Sequence, residues 1–127
     1  MLFKYRNDYE KIVMGMLSLS KSSDKTKHLL EEMNWYRNAD NRDIYLWKDQ
    51  FGNWAGIVGI EANPKNVVVR RITLTPDADT IFNEFRILDS VENEYPDQKI
   101  MGTFNTQDVI SKWELSHEQR QSTNSLR

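Results

Sequence analysis

Val67-Val68-Val69-Arg70-Arg71-Ile72-Thr73-Leu74-Thr75-Pro76 is the stretch whose reading decides the fold. Three β-branched residues followed by a polar/apolar mixture suit a pleated strand. Pro76, which has no N–H to donate, stops it. Strict alternation puts Val67, Val69 and Arg71 on one face and Val68, Arg70, Ile72 and Leu74 on the other. Downstream, Ile81, Phe82, Phe85, Leu88, Asp89 and Val91 recur with helical spacing as far as Tyr95-Pro96. Lys99 to Phe104 then reads as a short apolar strand, and Gln107 to Leu115 as a last helix carrying Val109, Ile110 and Trp113. A strand–helix–strand crossover pairs its two strands in parallel, and a crevice near the end of Val67–Thr75 is the place for a ligand.

Upstream, Leu2 to Arg6 suits a first strand. Tyr9, Ile12, Val13, Met16 and Leu17 mark one face of a helix, which Gly15 weakens by about 1 kcal/mol relative to Ala. Ser18 to Asp24 is a connection, in which Ser22 or Ser23 can cap a second helix bearing Leu29, Leu30, Met33 and Tyr36. After a polar loop, Asn38 to Asp43, the period changes. Ile44–Lys48 and Trp54–Glu61 form a hairpin across Gln50–Asn53, and Asn63–Asn66 turns into the Val67 strand. The order is therefore β-α-α-β-β-β-α-β-α, an α/β mixed sheet. Residues 1–115 make one domain, and 116–127 a flexible polar tail without an aromatic residue.

The chain's 127 residues suffice for one core, and 17 Lys+Arg against 19 Asp+Glu lack the basic excess of a general nucleic-acid binder. Zero Cys excludes disulfides, thiolate metal sites and cysteine nucleophiles. The two histidines, His28 and His117, stand far apart with no ligand spacing around them. The charged start (Lys4, Arg6, Asp8, Glu10, Lys11) is no signal peptide, and no apolar run reaches the roughly 20 residues of a membrane span. A cytoplasmic protein is expected. No phosphate-loop, dinucleotide or nucleophile-elbow motif occurs. Gly56-Ile57-Val58-Gly59 matches a GXXG nucleic-acid loop but falls inside a strand, where the glycines serve packing. Arg70-Arg71 can meet an anionic ligand, or simply face solvent and a carboxylate.

With the two helices and the meander before it, Ile72-Thr73-Leu74-Thr75-Pro76 resembles the fourth strand of the GNAT acetyltransferase family, which ends in an apolar-x-apolar-x-Pro pattern. Tyr5…Tyr9-Glu10-Lys11-Ile12, Leu46-Trp47-Lys48, and Lys99-Ile100-Met101-Gly102-Thr103 before Ser111-Lys112-Trp113 look more specifically like its small RibT-like branch, encoded with riboflavin biosynthesis genes. The resemblance covers most of residues 1–115. It implies acetyl-CoA bound where the fourth and fifth strands part, with the pantetheine chain along the main chain of Ile72, Thr73 and Leu74. The pyrophosphate would sit on N–H groups at the start of the next helix, at Asp79 and Thr80. Asn105, after the fifth strand, would hold the pantetheine; equally, Asn105 or Thr106 can cap the last helix. An unidentified small-molecule or protein amine would attack the thioester, and Glu61, at a strand end, is the carboxylate nominated as base.

The sequence departs from the family at the phosphate loop, where glycines let the backbone approach the anion. The stretch Asp77-Ala78-Asp79-Thr80-Ile81-Phe82-Asn83-Glu84 has none. From Asp77 to Gln98, seven acids (Asp77, Asp79, Glu84, Asp89, Glu92, Glu94, Asp97) face one base, Arg86, giving −6. Asp79 is suited to cap the helix with its own carboxylate. The chain also ends before the family's closing strand pair, so the fifth strand has an open edge and a homodimer is expected. Two readings follow: an acetyl-CoA-dependent N-acyltransferase linked to riboflavin biosynthesis, or a degenerate, non-catalytic relative that binds or regulates a partner.

Overall fold

The computed structural model describes residues 1–18 and 31–125. β1 (Leu2–Lys4), α1 (Glu10–Ser18) and α2 (31–37) lead into the antiparallel meander β2 (Arg42–Lys48), β3 (Trp54–Ala62) and β4 (Asn66–Leu74). α3 (Ile81–Glu94) crosses to β5 (Lys99–Gly102), and α4 (Gln107–Ser125) follows. The sheet order is β1-β2-β3-β4-β5, antiparallel except for the parallel pair β4–β5. This is the expected α/β order with its mixed sheet. Ser22, Ser23, His28, Leu29 and Leu30 lie outside the described residues. No described helix is long and apolar enough to cross a membrane.

Both faces of the sheet are covered, which is why β2 carries the unbroken buried run Ile44-Tyr45-Leu46-Trp47. Ile44 and Leu46 join Val13, Met33, Tyr36 and Ile57 in a core under α1 and α2. Tyr45 and Trp47 join Val58, Ile60, Val67, Val69, Ile87, Leu88 and Ile110 in a larger one under α3 and α4. Trp47 and Trp54 therefore occupy opposite faces. Trp54 closes the smaller core against Phe3 and Tyr9, its ring centroid 5.2 and 5.5 Å from theirs.

Strict alternation along β4 does not hold. Ile60 pairs with Val69 and Gly59 with Arg71, so Arg70 is an extra residue, a β-bulge. The bulge reverses the phase of everything after it. Ile72 and Leu74 thereby join Val67 and Val69 on the α3/α4 face, and Arg71 turns towards α2, where it pairs with Glu32. The face assignment expected for Arg71, Ile72 and Leu74 is thus corrected.

Two element ends also differ from expectation. β5 stops at Gly102, two residues before Phe104, because the backbone of Gln107 lies 2.8 Å from where a Cβ on Gly102 would be. α4 continues past Leu115 to Ser125.

The glycines Gly56 and Gly59 stay within β3, as read. Gly59 is there for space: a Cβ would overlap the Tyr36 hydroxyl. Gly15 has nothing within 4 Å of its missing Cβ. Urea denaturation should therefore separate them: Gly15→Ala should stabilise by about 0.5–1 kcal/mol, and Gly59→Ala should destabilise by about 1–3 kcal/mol.

Candidate active site at the parting of β4 and β5

β4 and β5 are paired only from Asn66–Lys99 to Val69–Gly102. Beyond that the strands part at the bulged Arg70. The hydroxyl of buried Thr106, at the start of α4, replaces the next rung of the ladder. It donates to the Val69 carbonyl at 2.6 Å and accepts from the Thr103 N–H at 2.9 Å. From Arg70 to Leu74, β4 keeps β3 on one side and has no strand on the other among the described residues. That leaves about 16 Å of strand edge with backbone donors and acceptors to offer. Ile72, Thr73 and Leu74 lie on it, where the sequence pointed.

At the far end of this edge, Pro76–Ala78 forms a 3-10 turn and α3 begins. Asp79 does not cap α3. The cap is Thr80, extended at φ −130° and ψ 154°, whose Oγ1 accepts from the Asn83 N–H at 3.2 Å. Asp79 ends the 3-10 turn one residue earlier, at φ −75° and ψ 79°, and is exposed. Most N–H groups here are taken by the chain itself: Ala78 bonds Thr75 O (3.0 Å), Thr80 bonds Ala78 O (2.8 Å) and Glu84 bonds Thr80 O (3.1 Å). Asn83 also donates its side-chain amide to Ala78 O and accepts from Arg86. Half-buried Glu84 has its pKa raised, first by desolvation and then by Asp79, with Lys112 opposing. Lys112 itself pairs with Asp108 at 3.1 Å.

No family model matches the chain. Over 118 residues it is 28% identical to an uncharacterized N-acetyltransferase in the lysA 3′ region of Bacillus methanolicus, spanning 92% of this chain and 98% of that protein. Among solved structures it is similar to a spermidine N-acetyltransferase chimera from Vibrio cholerae and hSSAT (TM-score 0.57, 16% identity, 90% of this chain and 77% of that one). AAC(6′)-Iy in complex with the bisubstrate analogue CoA-S-monomethyl-acetylneamine aligns at TM-score 0.57 and 11% identity, over 88% and 84% of the two chains. An acetyltransferase of the GNAT family from Staphylococcus aureus Mu50 aligns at TM-score 0.53 and 16% identity, over 92% and 80%. The fold is that of the GNAT acetyltransferases.

On the α2 side of this GNAT sheet, both arginines face carboxylates, Arg71 because of the bulge. Arg71 Nε pairs with Glu32, its Nη1 donates to Thr73 Oγ1 at 3.1 Å, and Arg70 Nη1 lies 3.9 Å from Glu61 Oε1. Arg70 also stands 4.7 Å over the Trp35 ring, which Arg42 covers at 3.7 Å. Beneath them Tyr36 is only 3% exposed and its hydroxyl has no hydrogen-bond partner among the described residues. Burial first, then Glu32, pushes the Tyr36 pKa up to about 12. Glu61 thus borders the point where the strands part, already tied to Arg70.

Asn105 is exposed in the β5–α4 turn, its N–H on Thr103 Oγ1 at 3.3 Å; it is Thr106 that fastens the helix start. Elsewhere among the described residues lie a cavity of about 260 Å³ between α2, β1 and β2 and one of about 430 Å³ beside Glu92, Trp113 and His117. Sequence reasoning passed over Glu32 and the buried hydroxyl of Tyr36, and took Glu84 only as one acid of a cluster. Glu32 and Tyr36 stand four apart on one helix, and that spacing was the available signal.

Thr80→Ala should cost about 1 kcal/mol by denaturant titration, whereas exposed Asp79→Ala should stay within about 0.5 kcal/mol of the parent. Because the folded-state pKa of Glu84 is raised, the native state holds this proton more tightly, and stability is lost as pH rises through that pKa. Glu84→Gln should therefore raise the Tm at pH 7, with the gain shrinking towards pH 4.

Proposed function

We propose that the chain is a cytoplasmic N-acyltransferase that moves an acyl group from a thioester to an amine. The observation that carries this is the open edge of β4 from Arg70 to Leu74. A pantetheine arm has two amide groups, and such an edge receives them as an added strand. The N-acetyltransferase relative of similar length and the fold likeness support the same reading. Acetyl-CoA is the donor to try first, since the similar AAC(6′)-Iy structure holds a CoA conjugate.

In the reaction, the amine nitrogen attacks the thioester carbonyl carbon; the C–N bond forms and the C–S bond breaks. The amine proton passes to Glu61, directly or through one water, and the departing thiolate takes up a proton as free thiol. Ile72–Leu74 hold the arm, and the exposed Asn105 stands in the β5–α4 turn that Thr106 fastens to Val69. Arg70 Nη1, 3.9 Å from Glu61 Oε1, holds that carboxylate beside the fork.

The closed phosphate end favours a second reading, a binding scaffold without catalysis, with a riboflavin-pathway partner proposed from the sequence resemblance. One assay separates them. With no Cys in the chain, thiol release is read with a disulfide reagent against zero protein background. Titration of acetyl-CoA against an amine panel that includes spermidine should release thiol, and Glu61→Gln should lower kcat by roughly 10²–10⁴. Thioester binding without release, or calorimetric binding of riboflavin alone, would favour the scaffold. The outer edge of β5, where Met101 is 41% exposed, is proposed as a homodimer contact. A monomer by light scattering would remove that contact.

A further inference from the structure

We infer that this chain recognises its acyl donor by the pantetheine arm alone and gains no affinity from the ADP half of CoA. The inference rests on the acyltransferase reading and names the donor class within it: a pantetheine thioester, with or without a nucleotide attached.

Three independent observations converge. The arm's binding edge is open along Arg70–Leu74, so the neutral, amide-bearing half of the donor has partners. The anion's binding groups, by contrast, are few: at this helix start only the Ile81 and Phe82 N–H groups are not already bonded among the described residues. A pyrophosphate at a helix start needs backbone N–H groups aimed outward. Here Ala78, Thr80 and Glu84 bond to nearby carbonyls, Asn83 bonds to the Thr80 hydroxyl, and the Asn83 amide closes back on Ala78. The nearby cations are committed too, Arg86 to Asn83 Oδ1 at 2.8 Å and Lys112 to Asp108 at 3.1 Å.

The third observation is charge. Asp77 and Asp79 are exposed on the turn, and Glu84 is close enough to Asp79 for that carboxylate to raise its pKa. A pyrophosphate entering there meets these like charges. The exposed side chain on the first turn of α3 is apolar, Phe82 at 70% exposure, and it offers a phosphate no hydrogen bond.

The test is calorimetry with two probes, acetyl-pantetheine and acetyl-CoA, at about 50 and 500 mM salt, where surface charges are weakly and strongly screened. Acetyl-pantetheine should bind at least as tightly as acetyl-CoA, and salt should strengthen acetyl-CoA binding only. In an Asp77→Asn, Asp79→Asn, Glu84→Gln variant, acetyl-CoA affinity should rise about tenfold, with acetyl-pantetheine within about twofold of the parent. Circular dichroism on the same samples establishes that the variant is folded. Acetyl-CoA binding about tenfold tighter than acetyl-pantetheine, or weakening with salt, would overturn the inference and leave the acyltransferase reading standing. If neither thioester binds, the acyltransferase reading itself falls, and this inference with it.

Discussion

The hydrogen bond from the Thr106 hydroxyl to the Val69 carbonyl holds the start of α4 against β4 at the residue where β5 leaves. Everything that makes a site follows from that departure. Without it β5 would continue alongside β4, and the edge from Arg70 to Leu74 would be filled by protein. Gly102 permits it, since a side chain there would collide with the backbone of Gln107 and push α4 away. The bulge at Arg70 sits at the same level, one residue past the last β4–β5 pair. Side-chain clip, glycine and bulge together convert a plain parallel ladder into a forked one.

Much of this was legible in the sequence, for identifiable reasons. A strand that stops at Pro76, a helix of fourteen residues and another short strand admit few connections, and the parallel pair followed from them. The fork's position near the end of the Val67 strand followed too. What alternation could not reveal was the bulge, because Arg70-Arg71 in sequence looks the same whether or not one residue is extra. One bulged residue reassigned Arg71, Ile72 and Leu74 to new faces and thereby gave Glu32 its arginine partner. The helix cap failed for a similar reason. Asp79 and Thr80 are adjacent and both can cap; the backbone, extended at Thr80 and not at Asp79, made the choice. Ion pairs such as Glu32–Arg71 depend on where α2 lies over the sheet, which no local pattern encodes.

The two faces of the fork differ in their electrostatics. On the α2 side, acids and guanidiniums are matched, and Trp35 lies under two guanidiniums that would otherwise repel each other. On the α3 side, acids accumulate without partners of equal number. Charge is balanced at one end. Unbalanced acid at the other end penalises anions.

The fork also carries a topological cost. Lys48 and Trp54 meet across a tight turn, whereas Asn66 and Lys99 meet only after the whole α3 crossover. Closing that longer loop costs roughly 1.5 kcal/mol more in chain entropy than closing the hairpin. The meander β2–β4 is thus the cheap part of the sheet to assemble, and the fork is its most expensive joint. A chain weakened at Thr106 or Gly102 loses the β5–α4 wall of the fork while the meander, with the β4 edge in it, survives. Loss of function and loss of fold are then separate transitions in this small protein.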